Sequence, residues 1–241
     1  MQTAFLWNAL TIAPARKQLI AVVGGGGKTS LIFRLCEEMV SAGKKVIVTT
    51  TTHMAYEPER PFAEEGNAQQ IQQNIKEYGY TVAASLDQNK SKIGSLTEEA
   101  LVRLKGQADC ILIEADGAKR LPLKVPGEWE PVIPDFTDLI VGVIGMDAVG
   151  QTISESCHRP ERVAAFLNKE QTDPVTEADV IRIAMSDKAL KKTVGQRQYK
   201  IVLNKTDLKG KYESAERIGK ELQEQGVHAA WGSLQGREYY R

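Results

Sequence analysis

The chain has few of the features that would direct a protein outside the cell. Its three cysteines, Cys36, Cys110 and Cys157, form no CxxC pair, and an odd number cannot close a complete set of disulfides. The N-terminal residues lack the basic start and long apolar run of a secretory signal, and no stretch is long enough to span a bilayer. We therefore expect free thiols, a cytoplasmic location and no membrane partner.

An excess of charge of one sign is also absent. Lys plus Arg number 31, as do Asp plus Glu, so the formal net charge is zero. Charge therefore gives no reason to expect a nucleic-acid partner. What is present is an ordinary globular composition, 42% hydrophobic and 26% charged, in a chain of 241 residues that can build a substantial core.

Short apolar runs alternate with helical patterns along the chain. Five runs are nearly continuous in Val, Ile and Leu, as strands covered on both faces should be: residues 19–23, 45–49, 110–115, 138–144 and 199–203. Amphipathic helices are predicted over residues 29–41, 97–104, 177–185 and 214–225. This alternation predicts an α/β fold with a mainly parallel central sheet, in a single domain over residues 1–241 with an insertion around residues 53–80.

A cluster of glycines lies between the first predicted strand and the helix after it. The sequence LIAVVGGGGKTSLIFRL contains, in order, Gly24, Gly25, Gly26, Gly27, Lys28, Thr29 and Ser30. Glycines let backbone amides turn toward an anion, and the N-terminus of a helix adds its positive dipole end. We expect this run to cradle a nucleoside triphosphate, with Lys28 at the outer phosphates and Thr29 at a Mg²⁺ ion.

The glycine pattern is shorter than the usual phosphate loop. The full pattern G-x-x-x-x-G-K-[ST] requires glycine at Val22, so only G-x-x-G-K-T remains, a form that some ATP-dependent ligases and kinases carry. A dinucleotide fingerprint would require glycine at Thr29, and no acidic residue ends the next strand. A purely structural turn is the other alternative. The position between strand and helix favours phosphate binding in a three-layer P-loop NTPase-like fold.

Acidic residues follow the third predicted strand, in CILIEADG. Glu114 and Asp116 are two residues apart, so both point to one face of the strand. We expect one carboxylate to orient Mg²⁺ and the other a water, with Asp116 assigned to the metal beside Thr29. A polar strand end that simply faces solvent is the alternative. With Lys28, the two acids are the catalytic candidates.

A second motif follows the fifth predicted strand, in QYKIVLNKTD. Asn204, Lys205 and Asp207 form the pattern N-K-x-D. An ionised Asp207 can accept hydrogen bonds from both N1–H and the exocyclic amine of guanine, whereas adenine offers an acceptor at N1. Lys205 is expected to lie along the base and Asn204 to brace the loop. The motif favours GTP over ATP, and an accidental turn is the alternative.

Several motifs together resemble a known family. VVGGGGKTS, VTTTTHM, LIEADGAKRLPLKVP, EWEPVIP, VGVIGMDAVGQ, CHRPE and VLNKTD are similar to the selenium-dependent hydroxylase accessory proteins of the YqeC type, over about residues 19–207. The resemblance implies help in the maturation of selenium-dependent molybdenum hydroxylases, with such a hydroxylase or a selenium or molybdenum cofactor carrier as partner. It also implies functional positions at Lys119, Lys124, Glu130, Asp147, His158 and Arg159. Trp129 stands where family members often have histidine.

Three functional hypotheses remain open from the sequence. The first is a Mg²⁺-dependent nucleotide hydrolase, in which residues 49–53 and the segment after Asp116 switch between two states. The second is an ATP-dependent kinase or ligase that transfers the γ-phosphate to a small acceptor or a cofactor precursor. The third is a non-catalytic nucleotide-binding scaffold. All three hypotheses require nucleotide binding by residues 24–30, which we call the glycine loop.

Overall fold

The computed structural model describes residues 2–3, 5–13 and 17–241. In chain order the strands are β1 (Gln2–Thr3), β2 (Gln18–Gly24), β3 (Val46–Thr50), β4 (Met54–Ala55), β5 (Phe62–Glu64), β6 (Tyr80–Leu86), β7 (Lys92–Gly94), β8 (Cys110–Glu114), β9 (Leu123–Lys124), β10 (Leu139–Gly145), β11 (Cys157–His158), β12 (Gln198–Asn204), β13 (His228–Ser233) and β14 (Glu238–Tyr240). The helices are α1 (Leu6–Ala9), α2 (Lys28–Ser41), α3 (Ala68–Tyr78), α4 (Glu98–Leu104), α5 (Ile153–Ser156), α6 (Pro160–Leu167), α7 (Glu177–Met185) and α8 (Lys211–Glu224).

Seven parallel strands form the centre of the main sheet, in the order β13-β12-β10-β2-β8-β3-β6. Antiparallel strands extend both edges: β14 and β1 beyond β13, and β7 and β4 beyond β6. Separately, β9 and β11 pair as a small parallel sheet. The predicted α/β fold with a mainly parallel sheet is confirmed.

The five predicted strands are β2, β3, β8, β10 and β12, and none differs by more than one residue at either end. The two outermost strands of this parallel part, β6 and β13, were missed. Their sequences, YTVAASL and HAAWGS, are rich in small and polar residues, so they lack the continuous aliphatic run that predicts a buried parallel strand. They are nevertheless mostly buried, because α3 packs on β6 and α8 packs on β13.

Residues on alternate positions of β2 pack on opposite faces of the sheet. Ile20 and Val22 join an apolar cluster with α1 and α2, whereas Ala21 and Val23 join one with α6, α7 and α8. A third cluster packs α3 and α4 against Ile111. This alternation produces three layers, helix, sheet and helix. The three cysteines are free and buried. Among the described residues, no helix is both long and apolar enough to cross a membrane.

The segment predicted as an insertion connects β3 to its parallel neighbour β6 and contains β4, β5 and α3. β5 pairs with β6, and α3 packs on both strands. Asn67 caps the start of α3, and Gly79 ends it in the left-handed conformation. That the chain is a single domain with an insertion here stays a prediction.

Candidate functional site

The site lies where the central parallel strands end at one edge of the sheet. β2 ends at Gly24, β8 at Glu114, β10 at Gly145 and β12 at Asn204. The carboxyl edge of an open parallel sheet is where ligands bind in such folds. Both sequence motifs therefore reach the same edge, although they are far apart in the chain.

The glycine loop is packed too tightly to accept side chains. A Cβ on Gly26 would lie 2.2 Å from the amide nitrogen of Gly145, and the φ of Gly26 is +77°. A Cβ on Gly25 would lie 2.5 Å from the carbonyl oxygen of Leu121. Glycine is therefore required by close approach at Gly25 and by both approach and conformation at Gly26.

The first three loop amides donate to the protein itself. The amide of Gly24 donates to the carboxylate of Asp116, at 3.0 and 3.2 Å. The amides of Gly25 and Gly26 donate to the carbonyls of Val143 and Leu121, at 2.9 and 3.0 Å. These three glycines therefore shape the loop, and their amides are already used.

The amides at the start of α2 are free. α3, α4 and α7 begin at side-chain caps, whereas the residue before α2 is Gly27, with no side-chain cap. Within the described residues, the amides of Gly27, Lys28 and Thr29 have no hydrogen-bond partner. Free amides at a helix N-terminus attract an anion, so this is where a phosphate group fits.

Lys28 is folded back over the glycine loop. Its ammonium donates to the carbonyl of Gly24 at 2.8 Å and lies 3.2 Å from Asp116 Oδ1. The side chain is 5% exposed. Asp116 is almost completely buried and also pairs with Lys124, at 3.1 Å. Asp116 thus holds both the first loop amide and the loop lysine.

Glu114, rather than Asp116, contacts the threonine of the loop. The Thr29 hydroxyl donates to Glu114 Oε2 at 2.7 Å. Burial raises the pKa of Glu114, while Lys28 and the Thr29 hydroxyl act in the opposite direction. The predicted partner of Thr29 at a metal is Asp116, whereas the structure brings Glu114 to the Thr29 hydroxyl, because Asp116 lies past the end of β8 and turns toward Lys28.

The Thr29 and Glu114 oxygens form a donor set that fits Mg²⁺. In the part of the chain that the structure describes, no group of three or more His, Cys, Asp or Glu side chains could hold a metal by itself. Mg²⁺ prefers one or two hard oxygen ligands from the protein, with the remaining positions filled by phosphates and water. One hydroxyl and one carboxylate beside a phosphate cradle match that preference.

The N-K-x-D segment is joined directly to the glycine loop. Asn204 Nδ2 donates to the carbonyl of Gly26 at 2.7 Å, and its Oδ1 accepts from the amide of Leu234 at 3.1 Å. Lys205 has a left-handed backbone (φ +67°) and pairs with Asp147 at 2.5 Å. Asn204 therefore connects three loops at the sheet edge.

A cavity of about 350 Å³ lies between the two motifs. Its lining includes Gly27 and Ser30 from the start of α2, Asp207 from the N-K-x-D segment, and Leu234 after β13. Asp207 is exposed and has no hydrogen-bond or ionic partner among the described residues. A larger open groove of about 500 Å³ between α7 and α8 contains none of the predicted site residues.

The chain matches known proteins over most of its length. The family model described as YqeC protein matches residues 20–161. The chain belongs to the YqeC family. The Uncharacterized protein YqeC of Escherichia coli (strain K12) is 32% identical over 190 residues, which are 76% of this chain and 74% of that protein. The crystal structure of PAB0955, a GTPase from Pyrococcus abyssi in its apo form, aligns over 92% of both chains with 12% identity and a TM-score of 0.37.

Of the positions that the YqeC resemblance implied, four enter ion pairs near the site. Lys124 contacts Asp116 and Glu130, Arg159 contacts Glu130, and Asp147 holds Lys205. His158 pairs in register with Lys124 across β9 and β11. Burial, together with the charges of Lys124 and Arg159, lowers the pKa of His158. Lys119 is exposed, with a left-handed backbone.

Sequence reasoning missed the residues that contribute backbone atoms to the site of this YqeC-family protein. The carbonyls of Leu121 and Pro122 accept from the amides of Gly26 and Gly145, and Leu234 lies on the cavity wall. Backbone groups leave no signature in residue type. The signal that could have been used is the glycine at position 145, where an added Cβ would lie 2.7 Å from Pro122 Cβ. Of the predicted switch region, Thr50 donates to the carbonyl of Glu114 at 2.9 Å.

Proposed function

We propose that this protein binds GTP together with Mg²⁺ and hydrolyses it. The observation that carries the proposal is the Asn204 bridge. Through it, the loop that would recognise the base is fixed at 2.7 Å to the loop that would hold the phosphates. The cavity of about 350 Å³ between them is of the size that small-molecule sites show.

Base selection falls to Asp207. Its carboxylate is free of protein partners in the described residues and lines the cavity. An ionised carboxylate accepts two hydrogen bonds from guanine, at N1–H and at the exocyclic amine, but meets an acceptor at N1 of adenine. Lys205, held by Asp147, lies on the wall of the same cavity. Guanine is therefore favoured over adenine.

Phosphate binding falls to the start of α2. The free amides of Gly27, Lys28 and Thr29 meet the phosphates, and the Lys28 ammonium transfers from Asp116 to an outer phosphate oxygen. Preorganised positive groups at this point stabilise the charge that develops on the transferring phosphoryl group. Thr29 and Glu114 would hold Mg²⁺, which neutralises phosphate charge when bound. Asp116 positions Lys28 and the loop.

The test compares the binding of different nucleotides to wild type and to the variant Asp207→Asn. Wild type is expected to bind and hydrolyse GTP in preference to ATP. Asp207→Asn should lose GTP and gain xanthosine triphosphate, because an amide can donate to the xanthine oxygen that replaces the guanine amine. Calorimetric titration of GTP, ATP and xanthosine triphosphate with both proteins measures this. An unchanged preference in Asp207→Asn would contradict base recognition by this residue.

We infer that the GTPase acts as an accessory protein in the maturation of selenium-dependent molybdenum hydroxylases, in the cytoplasm, with the hydroxylase or a carrier of its selenium or molybdenum cofactor as partner. The YqeC-type resemblance supports this role. In cells that make such a hydroxylase, loss of the protein should lower hydroxylase activity, and wild type but not Lys28→Ala should restore it. Full restoration by Lys28→Ala would separate the accessory role from the nucleotide site.

A further inference from the structure

A continuous chain of ion pairs leads away from the phosphate cradle. Lys28 Nζ lies 3.2 Å from Asp116 Oδ1, and Asp116 Oδ2 lies 3.1 Å from Lys124 Nζ. Lys124 Nζ lies 2.7 Å from Glu130 Oε2. Arg159 contacts both oxygens of Glu130, at 2.8 and 3.1 Å. We call Lys28, Asp116, Lys124, Glu130 and Arg159 the charge chain.

Lys124 is the central member of the charge chain and is fully buried. Its ammonium donates to Glu130 Oε2 at 2.7 Å and to the carbonyl of Gly117 at 2.6 Å, and it forms an ion pair with Asp116. A buried ammonium is costly unless it is fully paired, and an apolar side chain of the same size is often no less stable. The fold therefore keeps a charge here where stability alone does not require one, which indicates a role in specifying the arrangement of its two carboxylate partners.

The far end of the charge chain holds a turn with an exposed tryptophan. Gly127 and Glu130 exchange backbone and side-chain hydrogen bonds across the turn. Lys192 clamps the same turn from another side, donating to the carbonyls of Gly127 and Glu128 at 2.7 Å each. At its tip Trp129 is 84% exposed, whereas the other two tryptophans of the chain are buried.

We propose that Lys124 is a positioning residue that couples the phosphate cradle to the Trp129 turn. The inference rests on the proposed function and adds regulation of the same site. A phosphate oxygen that takes the Lys28 ammonium leaves Asp116 with Lys124 as its remaining cation. Lys124 then moves toward Asp116, and Glu130 relies on Arg159 instead. The Trp129 turn, which Glu130 holds, then changes its conformation. In this way an accessory protein would present different surfaces to a partner in different nucleotide states.

Trp129 itself supplies the readout. Acrylamide quenching is measured on wild type and on Trp129→Phe with and without GTP and Mg²⁺, and the difference between the proteins isolates Trp129. We expect GTP to change the quenching constant of Trp129 by at least about 1.5-fold, because the surroundings of the turn change with the bound state. Calorimetry on the same samples establishes whether GTP is bound.

Three variants separate the coupling from the simple holding of the turn. Lys124→Met and Glu130→Gln each break the charge chain and should abolish the GTP-dependent change while GTP still binds. Glu130→Gln keeps the shape of the side chain and one acceptor oxygen but removes the charge, so it remains informative if Lys124→Met does not fold. Lys192→Met is the matched control, because it loosens the same turn without touching the charge chain. It should shift the baseline quenching and keep the response.

The outcomes separate this inference from the proposed function. GTP binding by wild type with no change at Trp129 overturns the coupling and leaves the GTP site intact. A response that survives in both Lys124→Met and Glu130→Gln overturns the assignment of Lys124. Loss of the response in Lys192→Met overturns it as well, since any loosening of the turn would then suffice. No GTP binding by wild type overturns the proposed function and the coupling together.

Discussion

Asn204 and Gly26 are 178 residues apart in the chain, and the Asn204 side chain donates to the Gly26 carbonyl at 2.7 Å. Both are buried at the sheet edge, and the same Asn204 amide group accepts from Leu234. The glycine loop and the N-K-x-D segment therefore form one unit. A site of this kind needs little rearrangement to meet both ends of a nucleotide, which lowers the entropic cost of binding.

Asn204→Ala should weaken both the fold and the site. It leaves the Gly26 carbonyl and the Leu234 amide without partners, and each unsatisfied buried group costs about 1–3 kcal/mol. We expect the free energy of unfolding in urea to fall by about 2–4 kcal/mol and GTP affinity to fall at least about tenfold.

Asn74→Ala is the matched control for that experiment. Asn74 also joins separate segments with one side-chain amide, donating to the Phe62 carbonyl and the Thr81 hydroxyl at 3.1 and 2.9 Å. It lies on α3, away from the cavity. Its loss should destabilise the fold and leave GTP affinity unchanged. Equal affinity losses in the two variants would attribute the Asn204 effect to general destabilisation.

Much of the fold could be predicted because its central strands carry their own signal. β2, β8, β10 and β12 are continuous aliphatic runs, and burial on both faces demands that composition. β9 and β11 have two residues each, which is too short for any periodicity. Such strands exist because of their tertiary neighbours, so sequence patterns could not reveal them.

In the candidate site, too, some residues could be predicted from sequence patterns and others depend on tertiary contacts. Motifs predicted Lys28, Thr29 and Asn204, and the structure brings all three to one edge of the sheet; that they bind phosphate and base stays a proposal. Alternation placed Glu114 and Asp116 on one face but could not tell which would meet Thr29. That choice depends on Lys124, a residue eight positions further along that pairs with Asp116. An ion pair between residues eight positions apart, outside any helix, leaves no periodic pattern in the sequence.

Gly25→Ala should damage the loop by steric contact alone. The new Cβ would lie 2.5 Å from the Leu121 carbonyl oxygen, and backbone atoms cannot move aside cheaply. We expect a loss of about 1–3 kcal/mol in the free energy of unfolding. The control is Gly106→Ala, where nothing lies within 4 Å of the added Cβ. Urea unfolding of both variants checks this, and similar stabilities would show that the loop can open away from Leu121.

Thr29→Val should remove the Mg²⁺ dependence of nucleotide binding. Valine keeps the shape of the side chain but loses the hydroxyl that donates to the Glu114 carboxylate. We expect GTP affinity in Mg²⁺ to fall about 10- to 100-fold, toward the value that wild type shows in EDTA. Titration calorimetry in both buffers measures the difference.

Thr50→Val is the control for the Thr29 experiment. The Thr50 hydroxyl also donates to Glu114, but to its backbone carbonyl, at 2.9 Å. That carbonyl keeps a second donor, the amide of Thr51. Loss of the Thr50 hydroxyl should therefore leave the Mg²⁺ dependence of GTP binding intact. If Mg²⁺ raises the GTP affinity of Thr29→Val as much as that of wild type, Thr29 and Glu114 do not hold the metal.

Glu130 should make the fold sensitive to acid. Burial would raise its pKa, but hydrogen bonds from Lys124 and Arg159 outweigh this and hold the pKa at about 2, below the ordinary value of 4.5. The unfolded chain therefore binds more protons between these two values, so stability rises with pH there. The contribution is complete above about pH 4.5 and is lost as the pH falls toward 2. It amounts to at most about 3 kcal/mol, and to less in salt because the carboxyl is partly in water.

Glu130→Gln isolates that contribution. The glutamine side chain cannot ionise. The urea midpoint of this variant should therefore vary less between pH 6 and pH 3 than that of wild type, by roughly the stability that the Glu130 ion pairs lose in acid. The two proteins should differ most at pH 6 and approach each other toward pH 3, because the unfolded wild-type chain takes up a proton at Glu130 below about pH 4.5 while the folded protein keeps this carboxylate ionised. Parallel curves across this range would mean that Lys124 and Arg159 do not hold the Glu130 carboxylate in solution, and the charge chain would then end at Lys124.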